Sequence, residues 1–211
     1  MSKVYTSPKG TAVWPRIDTP DTKFDEDGVF SCKLHVSEGD FKAFEAQINK
    51  QVEADYKAEC ASQGKDKLRR AASCPLRITD DGDYEIYAKQ KAKVHTKSKG
   101  TLEFSITAFD SKGHPITTLD DEGEKVPHVP KIGSGSTLKM AVEVNTWFVP
   151  SQGFGYTLRL RAVQVIDLVE YGGGDGSFGF GAEEDGYVGE GESFNDVVTS
   201  DNEAETSNAP F

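Results

Sequence analysis

The amino-acid sequence predicts a mainly β fold, a small antiparallel barrel or sandwich with one added α-helix, followed by a disordered acidic tail. Segments in which apolar and polar residues alternate recur through the first 170 residues, with turn-like sequences between them. One segment has helical spacing, and strands do not alternate with helices as they do in α/β folds. The segment after residue 171 is rich in glycine and acids and has neither periodicity.

Two strands and the helix come first in this prediction. Residues 11–17 and 29–36 read as strands separated by the turn-like FDEDG. Ser37 is then a favourable N-cap, because its hydroxyl can accept a hydrogen bond from a backbone N–H of the first helical turn. The helix is predicted to run to about Ala61, since its apolar residues recur at spacings of three and four: Phe41, Phe44, Ile48 and Val52.

The stretch YAKQKAKVHTKSK at 87–99 holds five lysines and no acid. Written as a strand, it places Tyr87, Lys89, Lys91 and Lys93 on one face and small or apolar residues on the other. A turn-like KSKG leads into TLEFSITAF, whose apolar residues alternate inward, so the two segments are expected to form a hairpin. Because like charges on one face repel each other, the stretch requires opposing charge from elsewhere in the chain or from a partner.

Two further strands complete the body of the protein. Residues 137–149 alternate with apolar side chains on one face, and residues 156–171 do the same. In the second segment, the residues expected to point inward are Leu158, Leu160, Ile166 and Leu168. Five or six strands joined by hairpins, with one helix between strands, match an OB-fold-like antiparallel five-stranded barrel, which leaves no open edge.

The negative charge of the chain is concentrated at its end. The formal net charge is −11, but ten of the 35 acids follow residue 170, which leaves 25 acids against all 24 Lys and Arg in the body. We therefore expect a folded domain at 1–171 and a flexible acidic tail at 172–211. The tail ends on Phe211, and a ring exposed to water gains about 1.5–3 kcal/mol on burial. Glu203, Glu205 and Phe211 are the predicted partner-binding residues.

Several protein classes are not supported by the sequence. No apolar run is long enough for a signal peptide or a membrane span, so we expect a cytoplasmic protein without a membrane partner. The acid clusters at 80–83 and 120–124 lie beside glycines between predicted strands and read as solvated turns. The three cysteines are far apart and are expected to be reduced and buried. Because no catalytic, nucleotide or metal-ligand motif appears, we expect neither an enzyme nor a cofactor or metal.

Cationic strands that also carry aromatic rings are typical of proteins that bind single-stranded nucleic acid. Core packing remains the alternative for the aromatic residues, and a charged edge strand that prevents aggregation remains the alternative for the lysines. The predicted DNA-binding residues are Trp14, Arg16, Tyr87, Lys89, Lys91, Lys93, Lys97, Lys99, Lys139, Trp147, Tyr156, Arg159 and Arg161.

Four stretches of the chain also resemble a known family. They are KVYTSPKGTA at the start, ITAFDSKG and VPKIGSGSTLKMAVEV in the middle, and the glycine-led acidic tail that closes on Phe211. These stretches resemble the single-stranded DNA-binding proteins of tailed bacteriophages, of the T-odd podophage type. The resemblance implies an OB-fold core with an added helix and a role in DNA replication, recombination and repair. It also implies that the tail and its terminal aromatic contact replication proteins such as DNA polymerase, helicase or primase.

Two other functions remain open at this stage. An acidic interaction protein or DNA mimic would use the tail on a protein target, and a nuclease would use the acid clusters with a divalent metal. If the chain binds DNA, we expect the tail to compete with DNA for the lysine-bearing face, because it is a tethered polyanion. The oligomeric state stays open, a homodimer included.

Overall fold

The computed structural model describes residues 3–170 of the chain. Within this range lie one helix and twelve strands. The helix is α1 (Glu38–Ser62). The strands are β1 (Val4–Thr6), β2 (Gly10–Asp21), β3 (Val29–Val36), β4 (Leu76–Ile78), β5 (Tyr84–Lys91), β6 (Lys93–Thr96), β7 (Gly100–Glu103), β8 (Thr107–Phe109), β9 (Thr117–Leu119), β10 (Lys125–Pro127), β11 (Thr137–Val149) and β12 (Gly153–Asp167).

Five strands close into a ring. β2 pairs with β3, β3 with β5, β5 with β12, β12 with β11, and β11 with β2. This is the partly open five-stranded arrangement of an OB fold, and the predicted fold class is confirmed. The structure differs from an all-antiparallel barrel because β5 and β12 run parallel, and because β1, β4 and β8 extend the sheet beyond the ring.

The core fills the ring and continues to the helix. Alternate side chains of the ring strands point inward, and α1 packs against β5 and β11 through one apolar stripe that includes Phe44, Ile48 and Val52. The predicted N-cap is confirmed, since the Ser37 hydroxyl accepts a hydrogen bond from the backbone N–H of Asp40. The helix thus covers one end of the barrel and leaves the outer face of β3 and β5 to other contacts.

A bulge in β12 changes which residues face inward. Leu160 lies opposite Val142 and Ala162 lies opposite Ala141, so Arg161 has no residue across from it. The extra residue inverts the alternation, and Val163 rather than Arg161 or Ala162 continues the buried set. The prediction that Ile166 and Leu168 point inward is therefore wrong; each is 37% exposed.

The lysine-rich stretch bends instead of forming one strand. Strand β5 ends at Lys91, the chain bends at Ala92, and β6 then pairs with β7 as a separate two-stranded hairpin. The predicted alternation holds within β5, where Ala88 and Gln90 are buried and Lys89 is exposed. Pairing of TLEFSITAF with the stretch is confirmed only at its beginning, because β8 pairs in parallel with β12.

Three further predictions concern the acid clusters, the cysteines and the lack of a membrane span. The acid clusters do lie in turns, and the Asp120 side chain accepts hydrogen bonds from the backbone N–H groups of Glu122 and Glu124. The prediction of buried thiols is correct for Cys32 and Cys60 and wrong for Cys74, which is exposed. Between residues 3 and 170, α1 does not have the apolar length that a membrane span requires.

Candidate nucleic-acid interface

A row of polar side chains crosses four ring strands on their outer face. Arg16 of β2 lies opposite Ser31 of β3, Ser31 lies opposite Lys89 of β5, and Lys89 lies opposite Arg159 of β12. Directly opposed residues share a face, and neighbouring strands lie about 4.8 Å apart, so the row spans about 14 Å. The residues that flank the row on each strand, such as Ala88 and the buried leucines of β12, point inward. We call Arg16, Lys89 and Arg159 the cationic row.

The cationic row is distinguished by its lack of acidic partners. Among residues 3–170, no carboxylate oxygen lies within 4.0 Å of the charged nitrogens of these three side chains. Two other lysines of the lysine-rich stretch are paired: Lys91 Nζ lies 2.8 Å from Asp25 Oδ2, and Lys93 Nζ lies 3.7 Å from Glu103 Oε1. The chain therefore supplies opposing charge for two lysines of the lysine-rich stretch and leaves Lys89 without it.

Asp25 belongs to the loop between β2 and β3, which is fastened to the lysine-rich stretch. The hydrogen bond from Lys91 lowers the pKa of Asp25 below its usual 3.8 and raises the pKa of Lys91. Both groups therefore stay charged at neutral pH. A second contact joins the same loop to the β6–β7 hairpin, where His95 Nε2 lies 2.7 Å from Asp27 Oδ1.

Two tyrosines lie beside the cationic row. Tyr87 shares the outer face with Lys89 and is half-buried, with Lys33 Nζ 5.8 Å from the centre of its ring. The Tyr156 hydroxyl lies 3.1 Å from Cys74 Sγ, in a shallow cleft of about 110 Å³ that both tyrosines line. Burial raises the pKa of each tyrosine, so both phenols are neutral at pH 7. Tyr156 packs against the hydrophobic core and shares the inward parity of Leu158, which favours the core-packing alternative for this residue, whereas Tyr87 lies on the same face as Lys89.

A larger cleft of about 550 Å³ opens on the other side of the row, and we call it the seam cleft. Its walls include Gln90, Phe104 and Arg161, with the Arg161 guanidinium 5.9 Å from the centre of the Phe104 ring. Alternation with Ile106 predicts that Phe104 points into the core, so strand periodicity carries no signal that would place its ring in this cleft.

Trp14 is exposed to solvent near one end of the cationic row. It lies in a bulge of β2, with a φ of 47° and 71% of its surface exposed. Its backbone N–H donates to Ser134 Oγ at 3.0 Å, and Ser134 belongs to the sequence IGSGS at 132–136, so this hydrogen bond ties the bulge to that turn. Core packing of Trp14 is ruled out. Arg16 follows two residues later, and both side chains line a groove of about 270 Å³.

Other predicted residues lie away from the row. Trp147 packs its ring over Gly155, and Lys139 lies opposite Gln164. These two residues share a face of β11 but are about 27 Å apart along it. Lys97 and Lys99 are exposed in the turn of the β6–β7 hairpin. The partner-binding residues lie outside the described part of the chain: Glu203, Glu205 and Phe211.

One exposed aromatic residue was missed. Phe24 lies in the loop between β2 and β3 and is 89% exposed, with Lys23 Nζ 5.3 Å from the centre of its ring. The available signal was an aromatic residue at the start of the otherwise polar FDEDG. Within residues 3–170, no three His, Cys, Asp or Glu side chains come together in a way that could hold a metal ion.

The chain is similar to phage proteins in sequence. It is 27% identical over 209 residues to the single-stranded DNA-binding protein of Escherichia phage T7, covering 90% of this chain and 86% of that protein. It is 27% identical over 192 residues to the single-stranded DNA-binding protein of Enterobacteria phage T3, covering 82% of this chain and 79% of that protein. No protein-family model matches the chain.

Solved structures give the same result. The crystal structure of gp2.5, a single-stranded DNA-binding protein encoded by bacteriophage T7, superimposes with a TM-score of 0.64 at 25% identity, over 90% of this chain and all of that one. The fold is also shared with the single-stranded DNA-binding protein from bacteriophage Enc34 in complex with ssDNA, at a TM-score of 0.55 and 14% identity, over 81% of this chain and 89% of that one. The resemblance to phage proteins of this kind is confirmed.

Proposed function

We propose that this chain is a single-stranded DNA-binding protein of the tailed-phage type, which holds unpaired DNA along the cationic row without choosing its sequence. The observation that carries the proposal is the row itself. The row passes over β3 and β5, the second and third strands of an OB-type ring, on the face with which OB folds bind oligonucleotides, and its three cations have no acidic partner among residues 3–170. The similarity to the T7 and T3 proteins supports the same function.

Binding on this face has two components. The cations of the row neutralise phosphates, which makes the affinity depend on salt and not on sequence. The rings of Trp14 and Tyr87 offer stacking surfaces, and stacking is worth about 1–3 kcal/mol per base. Neither component needs a cofactor or a metal, so the protein acts as a binding protein and not as an enzyme.

The proposed biological role is taken from the phage proteins that the chain resembles. The protein would act in DNA replication, recombination and repair in the cytoplasm of the host cell, where it covers unpaired strands. The acidic tail would occupy the cationic face until DNA displaces it, because a tethered segment has an effective concentration on the order of millimolar. Displacement would then free Phe211 for a DNA polymerase, a helicase or a primase.

A binding assay with a chelator tests the function. A fluorescently labelled oligonucleotide, single-stranded and then duplex, is titrated with the full-length protein in the presence of EDTA. We expect tight binding to the single strand, weaker binding to the duplex, and no cleavage. Absence of binding to either form would favour an acidic interaction protein or DNA mimic, and cleavage that EDTA abolishes would favour a nuclease.

Deletion of residues 172–211 tests the tail. Truncation should tighten binding to single strands at low salt and weaken the discrimination against duplex, because the repulsion of polyanions by the tail is lost. The matched control is Phe211→Ala in the full-length chain, which keeps every acid and should leave DNA affinity unchanged while it abolishes capture of the partner. A truncated protein that binds no more tightly at low salt would contradict the competition.

A further inference from the structure

The seam cleft exists because two ring strands stop pairing. The last residue of β5 that pairs with β12 is Lys89, which lies opposite Arg159. Further along, β12 pairs with β8 from Ala162 onward, so the space between β5 and β12 is left open. The segment that includes the β6–β7 hairpin borders this space with apolar side chains, among them Phe104. The resulting volume falls within the range of about 300–1,000 Å³ that is typical of small-molecule sites.

Two residues that line the seam cleft each have a buried polar atom without a partner among the described residues. Gln90 is only 7% exposed; its Nε2 donates to the Lys91 carbonyl at 3.0 Å, and its Oε1 accepts nothing. Arg161 donates from Nη2 to Glu143 Oε2 at 2.6 Å, whereas its buried Nε donates to nothing. Buried polar atoms are almost always paired in native proteins, so these two require an explanation.

The two unpaired atoms are complementary to a nucleobase. Gln90 Oε1 is a hydrogen-bond acceptor and Arg161 Nε is a donor. Every DNA base presents a donor next to an acceptor on its Watson–Crick edge, for example N3–H beside O4 in thymine. The apolar walls and the Phe104 ring suit the faces of a flat base, as in other sites that receive an unstacked base.

We propose that the seam cleft is a nucleobase subsite, in which one unpaired base enters edge first and bonds to Gln90 Oε1 and Arg161 Nε. The proposal rests on the proposed function and adds a recognition element to it. Lys89 lines the cleft and belongs to the cationic row, so the phosphate next to the inserted base meets a free cation. The subsite accepts all four bases and rejects paired ones, because pairing occupies the edge that it contacts.

An oligonucleotide with a blocked base edge tests the subsite without any mutation. Thymidine 15-mers are compared with 15-mers of N3-methylthymidine, which keep every phosphate and ring but replace the N3–H donor with a methyl group. We expect the full-length protein to bind the methylated strand about tenfold more weakly, with an unchanged salt slope. Equal affinities would overturn the subsite while leaving the proposed function intact, whereas binding to neither strand would refute the proposed function itself.

A matched pair of variants then assigns the contact. Gln90→Leu should bind the two strands with equal affinity, because it cannot accept the N3–H hydrogen bond. Gln164→Leu is the control: Gln164 donates to the Asp110 and Ser111 carbonyls and does not line the cleft, so this variant should keep the tenfold difference. If circular dichroism shows that Gln90→Leu does not fold, Phe104→Leu replaces it and should weaken binding to both strands at an unchanged salt slope. A folded Gln90→Leu that keeps the difference, or a Phe104→Leu that binds normally, would refute the assignment.

Discussion

Replacing Lys89 with alanine should flatten the salt dependence of single-stranded DNA binding, whereas removing Lys91 and Asp25 together should leave it unchanged. The two lysines are two residues apart on the same face of β5 and are equivalent by sequence pattern. The structure separates them, because Lys91 Nζ lies 2.8 Å from Asp25 Oδ2 and Lys89 has no acidic partner among residues 3–170. The double variant Lys91→Ala with Asp25→Asn removes a neutral pair and so keeps the net charge of the face.

The size of the effect follows from the number of free cations. Each phosphate neutralised on a single strand contributes about −0.7 to the slope of log affinity against log salt. Three cations in the row give a slope of about −2.1, so a fourfold rise in salt should weaken binding about 18-fold. Without Lys89 the slope becomes about −1.4, and the same rise in salt should weaken binding only about sevenfold.

Fluorescence anisotropy with a labelled thymidine oligonucleotide at four or five salt concentrations measures these slopes. Wild type, Lys89→Ala and the double variant are titrated in parallel, at a fixed pH near 7 where Asp25 is ionised. A double variant whose slope falls as much as that of Lys89→Ala would show that Lys91 leaves Asp25 for a phosphate in the complex. The number of cations available to phosphates could then not be counted from the ion pairs of the unbound protein, and the reasoning would be refuted.

Substitutions at Trp14 and Gly155 test the bulge of β2 and the packing of the Trp147 ring. Trp14→Ala and Trp14→Gly should weaken DNA binding equally, because both remove the ring. The glycine variant should be more stable to denaturant by about 1 kcal/mol, because only glycine adopts a positive φ without cost. Equal stabilities would mean that the backbone of the bulge relaxes around any residue. Gly155→Ala should destabilise the fold by about 1–3 kcal/mol, since its Cβ would meet the Trp147 ring at 2.4 Å. Gly39→Ala is the control, because a Cβ at this position in the first turn of α1 meets nothing within 4 Å, and it should stabilise the fold in the same urea titration. A similar loss of stability in both variants would count against the clash with Trp147.

Local patterns predicted the faces of the strands well. The exposure of Lys89 and the burial of Ala88 follow from period-two alternation, which each strand obeys irrespective of its partners. The start of α1 was predictable for the same reason, since the Ser37 cap acts within one turn of the helix. The sequence predicted a five-stranded barrel but not the pairing of its strands, because the number and spacing of strands limit the possible topologies without determining which strands form hydrogen bonds with each other.

Features that depend on register could not be predicted. The bulge at Arg161 is defined by its pairing with β11, and nothing in the sequence of β12 alone marks the extra residue. The residues predicted to point inward after Arg161 were therefore wrong. The pairing of Lys91 with Asp25 likewise joins a strand to a loop that is distant in sequence. The sequence therefore identified which lysines lie on the outer face but not which of them the protein neutralises.

The distribution of acids, rather than of lysines, sets the path expected for DNA. Glu85 is buried on the outer face of β5, and its carboxylate oxygens lie 2.7 Å from Arg77 Nε and 3.6 Å from Lys33 Nζ, so it offsets part of the positive charge at one end of the strand. Asp25 cancels Lys91 at the other end. On β5, Lys89, where the cationic row crosses the strand, is thus the one cation without an acidic partner among residues 3–170. We expect a single strand to run across β2, β3, β5 and β12 from the exposed Trp14 towards the seam cleft, and not along the lysine-rich strand as its composition alone would indicate.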